Sequence, residues 1–451
     1  MPLQVGFWKS LRRGIKVTGE STELVQRNDP STACEVPSVE IETPPRDGRP
    51  RVFYALGPGN VVDSYRKWSV GLDCTSETSL TFSGQFFDFC RARGVRAYAV
   101  SSHSAREILH DGPFTVENRP KPFANPRGVL FHLNQIWCGL SIITSALRFG
   151  ADVVVVDSGT THWFVLSLLA LTRVRVVASL HNSYWACGFL PPGTLKRTIR
   201  ALDGWFWRHA ADASLCVSPE CQRQIETLAQ QRNGPVFQYR CQFRPTDFES
   251  VAPPPPHEQR PFQVLFAGRV EREKGVFDLL EIAQTFKRES PGRLRIEICG
   301  GGDAFDELRQ AITDRGLTDD VLLRGKLKRP ELLACYGNSH VVIVPTRSTF
   351  CEGMPMVAAE AILTGRPVVT SRLSNALDVL DGALVEAQPD DPASYVECLR
   401  RLMTDGDYYR ECCRACPTVG RQFYDRDQGL AAAMERMLQS FDAPVPAVRQ
   451  C

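Results

Sequence analysis

The sequence predicts an α/β protein with two parallel-sheet domains that face a central cleft. Short, continuous apolar strands alternate with helical stretches, which is typical of parallel sheets covered on both faces. A proline-rich segment interrupts this alternation, which restarts after it. The length of 451 residues, 43% of them hydrophobic, suits two domains that each bury a core.

The first half contains four buried-strand runs, the first of which ends at a Gly-Pro-Gly turn. Between them lie longer stretches with helical spacing of apolar residues. We expect strands over 51–56, 95–101, 152–157 and 174–180, and helices over 80–94, 129–149 and from Trp163 onward.

The second half repeats the same alternation. Pro355 suits the first position of one of its helices, and Gly365 suits the end of that helix. We expect strands over 264–267, 294–299, 321–323, 341–344 and 368–370, and helices over 276–288, 304–315, 330–337, 355–364 and 427–441.

Composition gives the domain boundaries. Residues 1–50 contain several prolines and few large apolar groups, which predicts a disordered or tethering segment. A first domain over 51–245, a stiff linker over 246–261 with four consecutive prolines, and a second domain over 262–417 follow.

Charge and cysteine content restrict the partners and the compartment. The formal net charge of +2 argues against bulk capture of nucleic acid. Sixteen cysteines show a single CxxC spacing, Cys413 with Cys416, which is a weak metal signal, so free thiols in a reducing, cytoplasmic compartment are expected. Residues 1–16 are basic with interleaved aromatics, which fits either a disordered tail or a short helix on the inner face of an anionic membrane.

Two glycine-containing turns follow strands of the second domain. Gly268 and Arg269 follow the first strand, and Lys274 opens the next helix, so two cations stand where a diphosphate could bind; a solvated turn is the alternative. A triple glycine centred on Gly301 follows the second strand, where it allows close approach of a nucleotide or simply makes a tight turn.

A third motif places two acids around a helix start. Glu352 lies just before the helix and Glu360 about one and a half turns inside it. The amides that begin at Gly353 and Met354 point out of the helix end, which is an anion site. His181 ends a strand of the first domain on the side of the cleft, where a structural and a functional role are about equally expected.

Together these pieces resemble the donor-binding domain of glycosyltransferase family 4, whose GT-B fold has two Rossmann-like domains. The resemblance is strongest over 266–371 and includes the family's two glutamates separated by seven residues, Glu352 and Glu360. It extends more weakly over 51–441 and implies that a C-terminal helix over 418–441 crosses back to complete the first domain.

The resemblance implies a retaining glycosyltransferase of the hexosyl type. The donor would be a nucleotide sugar, no metal or other cofactor would be required, and the acceptor would be a hydroxyl of a glycan, a lipid-linked molecule or a small molecule. Arg269 and Lys274 would neutralise the leaving diphosphate, and Glu352 with the amides of Gly353 and Met354 would hold the sugar. Glu360 would bind the ribose, His181 would contact the far hydroxyls of the sugar, and Gly268 and Gly301 would line the nucleotide site.

Other functions remain open on the residues alone. A non-catalytic GT-B scaffold or sugar-nucleotide-binding protein would keep the sheets and some of the motifs, and a sugar-nucleotide epimerase shares the fold. A dinucleotide oxidoreductase is disfavoured, because no GxGxxG fingerprint with a ribose-binding acid is present.

Overall fold

The structure, a computed structural model, describes residues 48–72, 78–124 and 126–442, with only the backbone of Asp442. The basic segment 1–16 and nearly all of the expected tether lie outside the described residues.

The first sheet has eight strands in the order β3-β4-β2-β1-β5-β6-β7-β8. All neighbouring strands are parallel except β3, which runs antiparallel to β4. The strands are β1 (Arg51–Ala55), β2 (Arg96–Ser101), β3 (Glu107–Asp111), β4 (Phe114–Asn118), β5 (Val153–Asp157), β6 (Arg175–Leu180), β7 (Ala213–Cys216) and β8 (Val236–Gln238).

Five helices and one 3-10 segment connect these strands. Helices α2 and α3 each end at a glycine, Gly94 and Gly150. Both adopt the left-handed backbone conformation, which glycine tolerates because it has no Cβ. The expected helix from Trp163 is instead a 3-10 segment. The elements are α1 (Val61–Ser69), α2 (Phe82–Arg93), α3 (Val129–Phe149), the segment Trp163–Leu171, α4 (Thr194–His209) and α5 (Pro219–Ala229).

The second sheet has six parallel strands in the order β11-β10-β9-β12-β13-β14. The strands are β9 (Phe262–Ala267), β10 (Leu294–Cys299), β11 (Val321–Gly325), β12 (Val341–Val344), β13 (Val368–Thr370) and β14 (Leu384–Glu386). The helices are α6 (Asp278–Glu289), α7 (Phe305–Asp314), α8 (Arg329–Asn338), α9 (Met356–Leu363), α10 (Pro392–Thr404) and α11 (Gly406–Gly420).

The chain then returns to the first sheet. After α11, which packs on α9, two short 3-10 turns lead to α12 (Leu430–Asp442), which packs on α2. The stretch 418–441 is therefore not one helix: its first residues end α11, and the return is made by α12. The fold class expected from the sequence is confirmed, with the β3–β4 hairpin as an unexpected antiparallel addition.

Among the described residues, one helix is long and apolar enough to span a bilayer by length and composition. This helix is α3, a third of which is buried against the protein.

Candidate active site

A cavity of about 440 Å³ opens where the carboxyl ends of the two sheets face each other. Ligands of open parallel sheets bind at this edge of the strands. Seven of the residues singled out from the sequence line the cavity: His181, Gly268, Arg269, Lys274, Glu352, Met354 and Glu360.

Lys274 and Glu352 form an ion pair in this cavity. The Lys274 Nζ lies 2.5 Å from Glu352 Oε2, and the two side chains are only 16% and 9% exposed. The Thr346 hydroxyl also donates to Glu352 Oε2 over 3.3 Å. The turn that carries Lys274 needs Gly275, because a Cβ there would lie 2.0 Å from the Pro345 oxygen.

Arg269 lies nearer to solvent. Its side chain is 59% exposed, and its Nη1 donates to Glu271 Oε1 over 2.6 Å. The ring of Phe350 lies beneath both cations, 4.1 Å from the Lys274 Nζ and 5.6 Å from the Arg269 Cζ. Sequence reasoning missed Phe350; its place two residues before Glu352 was the available signal.

Glycines let the backbone segments at two strand ends approach each other closely beside the cavity. Gly268 and Gly300 have φ of 156° and 150°, which favour glycine, and a Cβ on Gly300 would collide with the Gly268 oxygen at 1.7 Å. At Gly301 an added Cβ would meet no atom within 4 Å, so this residue borders open space.

The loop at Glu352 and Gly353 contacts the first domain. The Glu352 carbonyl accepts from Ser183 N over 3.0 Å and from the Asn375 side-chain amide. A Cβ on Gly353 would lie 1.7 Å from the His181 carbonyl oxygen, so only glycine fits there. The two domains therefore touch at the residues expected to hold the donor.

Helix α9 begins one residue later than expected. Pro355 is its N-cap rather than its first turn, and no side chain caps the helix. Met354, Met356 and Val357 line the cavity, so the uncapped amides at the helix start lie beside it.

Glu360 is buried and carries two hydrogen bonds. Thr78 of the first domain donates to its Oε1, and the Tyr336 hydroxyl donates to its Oε2 over 2.6 Å. Burial raises the pKa of Glu360, and the two hydrogen bonds oppose that shift. The carboxylate thus connects the domains in this structure.

The ring of His181 is fixed by residues of the first domain. Nε2 lies 2.7 Å from Asp157 Oδ1, and Nδ1 lies 2.8 Å from the Tyr239 hydroxyl. Since a carboxylate only accepts, Nε2 donates to Asp157, and in the neutral ring Nδ1 then accepts from the Tyr239 hydroxyl. Phe82 packs on the ring with centroids 4.5 Å apart. Contact of His181 with sugar hydroxyls therefore stays a prediction, and through a ring nitrogen it would require one of these bonds to break.

In the described part of the chain, Cys413 and Cys416 do not belong to a group of three or more possible metal ligands. Cys413 and Cys416 lie on α11 as free thiols, and burial raises the pKa of Cys413 to about 11. A different group, Glu297, Cys299 and Cys335, brings ligand atoms within 4.8 Å of one another. The Arg324 Nε, 2.8 Å from the Glu297 carboxylate, neutralises that group's only acid.

Two protein families match the chain. Residues 87–236 match "Glycosyltransferase Family 4", and residues 247–416 match "Glycosyl transferases group 1". The chain is 33% identical over 162 residues to D-inositol 3-phosphate glycosyltransferase 1 of Catenulispora acidiphila, covering 33% of this chain and 37% of that protein. It is 26% identical over 248 residues to glycogen synthase of Mycobacterium tuberculosis, covering 53% and 57%. The chain thus spans between 37% and 57% of the length of these relatives.

Solved structures share the whole architecture. Sucrose-phosphate synthase from Thermosynechococcus elongatus superposes with a TM-score of 0.65 at 16% identity, over 87% of this chain and 99% of that chain. Anabaena Alr3699/HepE in complex with UDP superposes with a TM-score of 0.57 at 15% identity, over the same shares. The two sheets, the cleft between them and these superpositions define a GT-B protein. The two family matches fall one on each sheet, and together they support a glycosyltransferase of the family 4 type.

Proposed function

We propose that this protein is a retaining glycosyltransferase that moves a hexosyl-type sugar from a nucleotide-sugar donor to a hydroxyl group. The observation that carries the proposal is the Lys274–Glu352 pair, which faces the cavity beside the uncapped start of α9. A cation, a carboxylate and helix-end amides in one place suit a phosphate joined to a sugar.

The diphosphate is the leaving group, so negative charge builds on it as the glycosidic bond breaks. Lys274 and the amides at the start of α9 are fixed before the reaction and stabilise that charge without reorganisation. Arg269 is exposed and bound to Glu271, so it must turn inward to add its charge. Phe350 gives both cations an aromatic surface that keeps them at the cavity.

Both carboxylates of the site are engaged, which favours direct attack by the acceptor over a covalent sugar–enzyme intermediate. Glu352 is paired with Lys274, and Glu360 accepts from Thr78 and Tyr336. In the proposed reaction the acceptor oxygen attacks from the side of the departing phosphate. That phosphate takes the acceptor proton, so the configuration at the sugar carbon is retained and no protein base is needed.

The ribose would bind Glu360, whose two oxygens suit a pair of hydroxyls. In the present arrangement Thr78 occupies one of them, so the nucleotide has to displace that hydroxyl. The UDP complex of the structurally similar Anabaena protein supports a nucleotide at this fold. The relatives named for inositol phosphate or glycogen indicate that acceptors differ within the family, and a hydroxyl is the shared chemistry.

A thermal-shift screen against UDP-, GDP-, ADP- and dTDP-sugars tests donor binding, and release of the nucleoside diphosphate tests transfer. Lys274→Ala should reduce the transfer rate more than donor affinity, because phosphate charge grows at the transition state. Activity should survive EDTA, since fixed cations take the place of a metal. A donor that binds without any turnover would instead favour the non-catalytic scaffold, and full loss of activity in EDTA would contradict the metal-independent mechanism.

A further inference from the structure

One helix layer of the first domain presents a broad apolar surface. The strands β1, β5, β6 and β7 lie side by side in that order, and right-handed connections place α3, the segment Trp163–Leu171 and α4 on the same side of the sheet. The segment packs against both helices. We call the outward surface of these three elements the α3–α4 face.

Large apolar side chains on this face are exposed in regular stripes. On α3, Leu130, Leu133, Trp137 and Leu140 recur every three or four residues and Leu147 follows two turns later, which places these five on one side of the helix. Trp137 is 61% exposed and Leu171 is 86% exposed. The opposite side of α3 is buried and includes Asn134 and Gln135. The exposed large apolar residues of the three elements are Val129, Leu130, Phe131, Leu133, Trp137, Leu140, Leu147, Leu168, Leu171, Leu195, Leu202 and Trp205.

The exposed charged side chains of these three elements are all basic. The three elements contain a single acid, Asp203, which is 1% exposed and accepts from Phe164 N over 2.8 Å and from the Tyr184 hydroxyl. Basic side chains lie within or next to the same elements, although the whole chain has a formal net charge of only +2. They are Arg127, Arg148, Arg173, Arg197 and Arg208. Lys196 and Arg200 of α4 are not counted, because Lys196 lies within electrostatic range of Cys351 in the second domain and Arg200 donates to the Pro191 carbonyl oxygen over 2.8 Å.

We propose that the α3–α4 face docks on the surface of an anionic lipid bilayer. The leucines and tryptophans would enter the boundary between head groups and acyl chains, and the basic side chains would contact lipid phosphates. The charges favour this occupant over a second copy of the chain, because a two-fold contact would bring like charges together. The buried polar residues of α3 indicate a helix lying along the membrane rather than crossing it.

Flotation of the full chain with lipid vesicles tests the proposal. Binding should require anionic lipid, so vesicles of phosphatidylcholine with about one-third phosphatidylglycerol should bind and pure phosphatidylcholine should bind weakly. The double variant Leu133→Glu, Trp137→Glu should weaken binding at least about tenfold, because it places two charges in the apolar stripe. Leu322→Glu, at an exposed leucine of the second domain, is the matched control and should bind as wild type.

A double charge-reversal variant tests the electrostatic contribution to vesicle binding separately from the apolar one. Arg148→Glu, Arg197→Glu should weaken binding to the anionic vesicles and lower its salt sensitivity. Arg309→Glu, Arg315→Glu on α7 and its cap carries the same charge change on another surface and should have no effect.

Tryptophan quenching by brominated lipid gives a readout that does not depend on disruptive variants. Trp163 and Trp207 are buried, whereas Trp137 and Trp205 are exposed on the face. Brominated anionic vesicles should quench the wild-type protein, and Trp137→Phe, Trp205→Phe should lose most of that quenching while still binding.

Three results would overturn the proposal. One is equal flotation of the Leu133→Glu, Trp137→Glu variant and wild type. Another is binding that disappears when residues 1–20 are removed while the face is intact. The third is a concentration-dependent dimer, seen by sedimentation velocity, that the same double variant abolishes without any lipid binding in the wild type.

Discussion

Replacing Glu352 by glutamine tests whether the Lys274 ammonium is held ready for a phosphate. The substitution preserves the side-chain size and removes the negative charge that lies 2.5 Å from the Lys274 Nζ. Because both side chains are more than four-fifths buried, water cannot replace the lost partner fully.

The cost to the free protein follows from the geometry. Breaking a buried ion pair by removing one partner costs about 3–5 kcal/mol. Here the glutamine oxygen can still accept from Lys274, and the Phe350 ring 4.1 Å away stabilises the cation by about 1 kcal/mol. We therefore expect Glu352→Gln to lower the free energy of unfolding by about 2 kcal/mol, measured by urea denaturation.

Nucleotide binding should change in the opposite direction. A nucleoside diphosphate supplies the anion that Lys274 lost, so UDP, or the diphosphate that the screen selects, should bind Glu352→Gln more tightly than wild type. A gain of 1.4 kcal/mol would be about tenfold in affinity by calorimetry. The intact nucleotide sugar should gain less, since the variant also loses the carboxylate proposed to bind sugar hydroxyls.

A surface pair provides the control. Glu307 pairs with Arg272, and both side chains are more than half exposed, so Glu307→Gln should leave stability and nucleotide affinity unchanged. If Glu352→Gln bound the diphosphate more weakly than wild type, Lys274 would not be the phosphate ligand, and the assignment would fail.

Four further changes have expected outcomes. Burial raises the pKa of Glu360, so nucleotide affinity should fall in acid, at a higher pH than an ordinary glutamate would require, as this carboxylate becomes protonated. In Glu360→Gln, calorimetry should find weak binding without that pH dependence. Thr78→Val frees one oxygen of Glu360 and should tighten nucleotide binding severalfold. Burial raises the pKa of Asp203 from 3.8 to about 6, so the folded state holds this proton more tightly than the unfolded state and loses about 3 kcal/mol of stability as the pH rises from about 4 to 6. Asp203→Asn should remove that slope in urea denaturation. Phe350→Ala should lower the transfer rate more than Phe277→Ala. The Phe277 ring centroid lies 4.4 Å from the Arg272 Cζ, and Phe277 does not line the cavity.

Nine of the fourteen strands in the described residues, and the motifs beside them, could be predicted because both depend on local sequence; β3, β4, β7, β8 and β14 were missed. A continuous apolar run such as Val153–Asp157 is buried on both faces, and its pattern shows this directly. The hairpin over Glu107–Asn118 was missed because most residues of its outer strand are polar and none is fully buried, so that strand resembles a loop. The helix at Trp163 became a 3-10 segment, which apolar content alone does not distinguish from an α-helix.

The contacts that fix the site side chains could not be predicted, because they join distant parts of the chain. His181 is held by Asp157 and Tyr239, which are 24 and 58 residues away. Glu360 meets Thr78 across 282 residues. Residue type and strand-end position indicated that each side chain faces the cleft, but only the packing of two sheets determines which partner it meets.

The stretch 352–360 contacts the first domain and also lines the proposed donor site. Donor binding and contact between the domains therefore depend on the same residues. The Glu352 carbonyl binds Ser183 through its backbone, a contact that a donor need not disturb. The Glu360 carboxylate binds Thr78 through Oε1, one of the two oxygens that a ribose would use. Donor binding therefore competes with one contact between the domains and leaves the other intact. It follows that the nucleotide should loosen the domains around the Glu352–Gly353 loop as a pivot, while that loop keeps Lys274 and the start of α9 in place.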